Sequence, residues 1–228
     1  MTDDFNNDDN INLDNFKELF LDDNEFQEIN YLKTIQKTLI MEGCKLNKNM
    51  LDPKGNRVSG WGFGEERGGK KYYPPDGWKG YGIKVKSKYD NGNDDWLSAK
   101  KIPGAWAVAY HGIGTKLGFS LESVTNKIIS GGFKEGSGQY YKDDDDANHP
   151  GQKVGIGVYC TPKPEEMEVY AKKAKTITKI NGKRFMMAFM MRVKPDKIRY
   201  SNNRPDYWVL KGTTDEMRPY RILVKECE

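Results

Sequence analysis

Three short segments set a polar group beside glycine or an aromatic residue at an expected strand end, where a small ligand can meet backbone and side chain together. In Ala109-Tyr110-His111-Gly112 the imidazole offers a ring nitrogen, and the glycine leaves its peptide N–H and C=O open to the same ligand. Gly155-Ile156-Gly157-Val158-Tyr159-Cys160 is followed eleven residues later by Tyr170. If Tyr159 closes a strand and Tyr170 lies on the next helix, their rings can hold a flat heteroaromatic group between them. Pro205-Asp206-Tyr207-Trp208-Val209 sets an acid before an aromatic and aliphatic strand. Its carboxylate can accept a ribose hydroxyl or stabilise positive charge developing on a sugar ring. Each segment also has a purely structural reading: a satisfied strand-end histidine, two core tyrosines, an acid that opens a strand. The glycines of 155–157 are not a dinucleotide fingerprint, because no third glycine opens a helix at the required position.

These residues need strands and helices to position them. Period-two alternation predicts strands over residues 81–85 and 106–111. Residues 184–193 read as a long buried strand, and 207–210 and 220–224 as two more, set as antiparallel neighbours through the turn around Gly212. Ser120 is placed to cap a helix that carries Leu121, Val124 and Ile128 on one face and stops at Gly131. Pro164, Glu165 and Glu166 suit the first turn of a second helix, with Met167, Tyr170, Ala171 and Ala174 inward and Lys172, Lys173 and Lys175 near its end. Strands interrupted by two helices predict a mixed α+β domain.

Residues 1–31 hold ten acids against Lys17 alone, a net charge of −9, in a chain whose total is +4; the remainder therefore carries +13. A body this basic can attract phosphates, on a nucleotide or along a nucleic acid, and the acidic arm can compete for the same surface; the leading alternative is a solvating tail beside an ordinary lysine-rich surface. Residues 1–10 are expected to be disordered, Leu13, Phe16, Leu19 and Phe20 to form a short amphipathic helix, and residues 25–41 a second. A breaker-rich stretch follows, and it places the domain boundary between an acidic, partly helical extension over 1–58 and a domain over 59–228.

Cys44, Cys160 and Cys227 show no CxxC pattern and read as structural thiols, so neither a disulfide framework nor a zinc site is expected. With His111 and His149 the only histidines, neither a multi-histidine metal centre nor any other metal is expected. The run Asp143 to Asp146 lacks the ligand spacing of a calcium loop and reads as a solvated acidic tip, with His149 a loop residue beyond it. The longest apolar run, residues 185–191, is far below the roughly 20 residues that span a bilayer. The amino terminus is acidic where a secretory signal is basic and then apolar. The expectation is a soluble, intracellular protein, cytoplasmic or nuclear, without membrane partners.

Taken together, the motifs resemble the catalytic domain of the poly(ADP-ribose) polymerase-type (diphtheria-toxin-like) ADP-ribosyltransferases, over roughly residues 80–225. The shared chain order is a strand ending in His111-Gly112, the helix from Leu121, the Gly155 to Tyr159 strand, a helix bearing Tyr170, the long apolar strand 184–193, and Asp206 before Tyr207-Trp208-Val209. The resemblance implies a split antiparallel β-sheet core with flanking helices and NAD as co-substrate. It implies that His111 bonds ribose hydroxyls, that the Gly112 backbone grips the nicotinamide carboxamide, and that Tyr159 and Tyr170 sandwich the nicotinamide ring. Asp206 stands at the place of the family's catalytic glutamate. The segment of about 133–153 is implied to be the loop over the cofactor.

Two positions depart from the family's pattern. Asp206 replaces the usual Glu, and one missing methylene shortens its reach by about 1 Å, a displacement worth about a hundredfold in rate. Met167 stands three residues before the second tyrosine, where a carboxamide-binding serine is common. Glu216 is the fallback acid. In this family chain elongation goes with the glutamate, so the resemblance implies mono-ADP-ribosylation of a protein or nucleic-acid acceptor. Trp61, Trp78 and Trp96 among basic residues are candidates to stack bases, but the leading reading puts them in the interior. The alternatives are a binding module for NAD, ADP-ribose or nucleic acid that has lost turnover, an NAD glycohydrolase, and the fold-related RNA 2′-phosphotransferases. The residues leave the acceptor and the oligomeric state open.

Overall fold

The computed structural model describes residues 50–62, 66–114, 121–135, 140–173, 178–180 and 183–227. The chain divides into two units, Met1–Thr38 and Leu39–Glu228, and every described residue lies in the second. The helices expected upstream of residue 50, together with Ser120 and Ala174, lie outside the described residues.

In chain order the elements are β1 (Glu66–Arg67), β2 (Lys70–Lys71), β3 (Lys79–Gly82), β4 (Ala107–Gly112), α1 (Leu121–Gly131), β5 (Val158–Cys160), α2 (Pro164–Lys172), β6 (Thr178–Ile180), β7 (Lys183–Val193), β8 (Trp208–Leu210) and β9 (Met217–Cys227). The unbroken apolar run in β7 makes it the centre of the fold, because a strand covered on both faces has no polar side to alternate. Every residue from Phe185 to Val193 is buried. β9 pairs with it along its whole length, β4 pairs on its other side, and β3 pairs with β9, giving an antiparallel sheet in the order β3-β9-β7-β4 with β6 paired to one end of β7.

A second antiparallel pair, β5 with β8, aligns Tyr159 with Val209 and Cys160 with Trp208. The two sheets meet where Tyr110 and Thr161 exchange backbone hydrogen bonds of 2.7 and 3.0 Å. The fold is therefore α+β with antiparallel sheets and, among the described residues, two helices. β8 and β9 are not neighbours, contrary to the expected hairpin around Gly212. β9 is long enough to fill the central place between β3 and β7, which leaves β8 to the short β5.

The expected boundary at residue 58 falls inside this body. Leu51 bridges Ile83 and Arg57 bridges Gly80, so residues from Met50 onward extend the β3 edge. α1 buries Thr125 and Ile129 most deeply, with Val124 and Ile128 half-buried. In α2 Pro164, Met167 and Ala171 are buried, as their helical spacing predicts, but Tyr170 stays 48% exposed. Trp78 and Trp96 are each 1% exposed and belong to the core, so neither can stack a base. Among the described residues no helix is long and apolar enough to cross a membrane.

Candidate functional site

β4 ends beside α2, and the last peptide of the strand lies so close to the helix that only glycine fits. A Cβ on Gly112 would stand 2.8 Å from the Met167 carbonyl oxygen and 2.9 Å from the Ala171 nitrogen, inside any allowed contact. The His-Gly pair thus has a local cause: glycine lets α2 close on the strand, and that closure carries Tyr170 to the histidine. A largely apolar pocket of about 90 Å³ results, bordered by Tyr110, His111, Gly112, Tyr159, Cys160, Thr161, Met167, Tyr170 and Tyr207.

Within it the Nδ1 of His111 lies 2.7 Å from the Tyr159 carbonyl oxygen. A carbonyl only accepts, so Nδ1 carries the proton and donates, and Nε2 keeps its lone pair. Burial pushes the His111 pKa below its ordinary value of 6.5, outweighing the opposite pull of the Tyr159 carbonyl, so the ring is neutral at neutral pH. Phe133 packs edge-on against it at 5.2 Å and against Phe189 at 5.6 Å. The ring therefore presents one fixed acceptor, suited to a hydroxyl donor.

Four tyrosines form the aromatic side of the site. Tyr141 packs at 6.3 Å from Tyr159 and 6.0 Å from Tyr207, and Tyr207 lies edge-on to Tyr170 at 6.1 Å. The Tyr141 backbone N–H donates to the Tyr159 hydroxyl at 3.2 Å, and the Tyr207 hydroxyl donates to Glu166 Oε2 at 2.7 Å. Burial raises the Tyr159 pKa, and the hydrogen bond to Glu166 raises that of Tyr207, so both phenols stay protonated. Cys160 is buried and its thiol pKa is driven far up, which leaves it without thiolate character.

Of the residues singled out from the sequence, His111, Gly112, Tyr159 and Tyr170 border one pocket. Met167, at the position of the missing serine, is fully buried in its wall. Asp206 is not among the bordering residues: its carboxylate lies 2.8 Å from Lys163 Nζ and its side chain is 36% exposed. Its neighbour Tyr207, just before β8, borders the pocket instead. Glu216, the fallback acid, accepts the Lys211 backbone N–H at 2.7 Å in the turn before β9. Sequence reasoning did not single out Phe133, Tyr141 and Tyr207, although the first two lie in the segment implied to cover the cofactor and Tyr207 adjoins Asp206.

The acidic run is more structured than expected. Asp143 and Asp145 are exposed, but Asp146 is 4% exposed and accepts from the Asn148 and Tyr200 backbone N–H groups. His149 bridges it to the chain, with Nδ1 2.6 Å from Asp146 Oδ2 and Nε2 2.9 Å from the Asp196 carbonyl oxygen. This bracket fastens the described part of the segment that carries Tyr141. Among the described residues no group of three His, Cys, Asp or Glu side chains is placed to hold a metal ion.

The arrangement can seat a flat ring with a polar edge against tyrosines and give one hydroxyl a neutral imidazole acceptor. No known protein family's model matches the chain, and neither does any curated protein sequence.

Proposed function

We propose that the chain is an NAD-dependent mono-ADP-ribosyltransferase, moving ADP-ribose from NAD to a protein or nucleic-acid acceptor with release of nicotinamide. The observation that carries this reading is the His111 imidazole, locked to the Tyr159 carbonyl at 2.7 Å in the pocket that Gly112, Tyr159 and Tyr170 also border. The two antiparallel sheets that meet at Tyr110 and Thr161 support it as the split sheet of that fold.

In this reading the nicotinamide ring enters the aromatic pocket and a ribose hydroxyl donates to His111 Nε2. The bond between the ribose anomeric carbon and the nicotinamide nitrogen breaks, nicotinamide leaves with the electron pair, and the acceptor's lone pair forms the new bond while its proton passes to solvent. The protein contributes orientation and charge stabilisation. Asp206 acts on the ribose only if its carboxylate leaves Lys163.

That ion pair favours a second reading, a module that binds NAD or ADP-ribose without turning it over. Nicotinamide release from NAD, followed with mass spectrometry of the protein and of candidate acceptors, separates the two. The transferase releases nicotinamide and leaves an ADP-ribose adduct, both lost in His111→Ala. Saturable NAD binding without release establishes the binding module, and neither binding nor release removes both readings.

A further inference from the structure

Alternation along β4 and β7 puts His111 and Phe189 on one face of the main sheet and Val108, Met190 and Arg192 on the other. That second face holds the larger cavity of the molecule's described pockets, about 380 Å³, within the range of small-ligand sites. Its lining combines the cations Arg57, Arg67, Lys86, Arg192 and Arg221 with the apolar side chains of Ile83, Val85, Leu97 and Val108, and Asp52 is the one carboxylate among the described residues that line it.

Arg192 is 4% exposed and sits on the strand floor. Its two terminal nitrogens donate to the Trp106 and Leu97 carbonyl oxygens, each at 2.7 Å, and its Nε has no acceptor among the described residues. The carbonyls orient the guanidinium without neutralising it, and Arg67 and Arg221 add like charge nearby. A buried cation without an anionic partner is costly. Trp61, 8% exposed and also lining the cavity, has an indole N–H without an acceptor among the described residues. Two buried, unsatisfied donors at one cationic cavity call for an acceptor-rich anion.

We propose that this cavity is a second binding site, for a nucleoside monophosphate group. The phosphate lies on the guanidiniums, whose planar forks match its oxygens, and the nucleoside lies against the apolar lining residues. The group comes either from a free mononucleotide or from the phosphorylated end of a strand. The site is separate from the His111 pocket and does not depend on the transferase reading.

The test is calorimetric titration of the full chain with AMP, adenosine and inorganic phosphate. AMP is expected to bind at least about tenfold more tightly than either fragment, because it alone engages both the cationic and the apolar lining residues. Arg57→Gln and Arg221→Gln are each expected to weaken AMP by about tenfold. The Arg57 side chain is exposed and, among the described residues, donates only to the Gly60 carbonyl at 3.4 Å, so its replacement leaves the fold intact. His111→Ala leaves AMP binding unchanged. A short 5′-phosphorylated oligonucleotide that displaces AMP, where its dephosphorylated form does not, assigns the group to a strand end; failure to displace assigns it to a free nucleotide. No saturable AMP binding, AMP no tighter than adenosine, or binding lost in His111→Ala and kept in both arginine variants overturns the proposal.

Discussion

The imidazole of His111 is tied through Nδ1 to the backbone carbonyl of Tyr159 at 2.7 Å, joining the last side chain of β4 to the middle of β5. The main sheet and the small β5–β8 pair are thereby coupled at the pocket, and the histidine has one tautomer. Replacing His111 by Ala removes both the acceptor at Nε2 and this tie. The expected outcome is a fall in nicotinamide release of about a hundredfold, the size of effect that misplacing a reacting group by about 1 Å produces. A circular dichroism spectrum matching the parent distinguishes lost positioning from lost folding.

Because burial lowers the His111 pKa below 6.5, the neutral ring is fully present above that value and is lost only as pH falls well below it. Turnover limited by His111 is accordingly flat through neutral pH and drops on the acid side. A pH profile that peaks below about pH 6 contradicts a neutral acceptor.

Asp206 and Lys163 test whether an acid acts at this site. Asp206→Asn is expected to slow nicotinamide release by about a hundredfold with little change in KM, and Asp206→Glu to raise it by restoring reach. Lys163→Gln, which frees the carboxylate from its 2.8 Å ion pair, shifts the rate upward as well. Steady-state kinetics in which all three variants match the parent exclude a catalytic part for this carboxylate.

Gly112→Ala forces a Cβ against two backbone atoms of α2 at less than 3.0 Å. The helix must move away from β4, at a cost of about 1–3 kcal/mol in urea unfolding, and Tyr170 moves with it. Parent stability in this variant would mean that α2 does not pack on β4 as described.

His149 couples the Tyr141 segment to pH. The Asp196 carbonyl, then the Asp146 carboxylate, raises its pKa above 6.5, because both ring nitrogens face acceptors and only the imidazolium donates twice. Its contribution is fully present below about pH 6.5 and is lost as pH rises through the higher folded-state value. Denaturation midpoints measured between about pH 5.5 and 8.5 should decline in the parent, and the decline should flatten in His149→Asn. An unchanged decline in the variant assigns it to other groups.

Much of the architecture follows from local pattern. Pro164 with two acids in the first turn starts α2, Gly131 ends α1, and the apolar run of β7 demands the covered centre of a sheet. Pairing was less legible, because β8 and β9 are both apolar and only the ten-residue ladder of β9 on β7 decides which becomes central. The His111, Gly112, Tyr159 and Tyr170 cluster was legible because the histidine stands directly before a glycine at a strand end and the two tyrosines sit eleven residues apart. Tyr141 and Phe133 reach the site from a long connection, where spacing carries no information about proximity. The direction of Asp206 was equally hidden: sequence puts it beside Tyr207, and it is the turn before β8 that brings Tyr207, not Asp206, to the pocket. Asp146 looked solvated because neighbouring aspartates share one composition, although just one of them is buried.

The most direct test of the account is a crystal structure of the protein with NAD. The account predicts the nicotinamide ring in the pocket between Tyr159 and Tyr170, with a ribose hydroxyl on His111 Nε2. NAD seated elsewhere, including in the arginine-lined cavity on the opposite face of the sheet, or no bound NAD at saturating concentration, contradicts it.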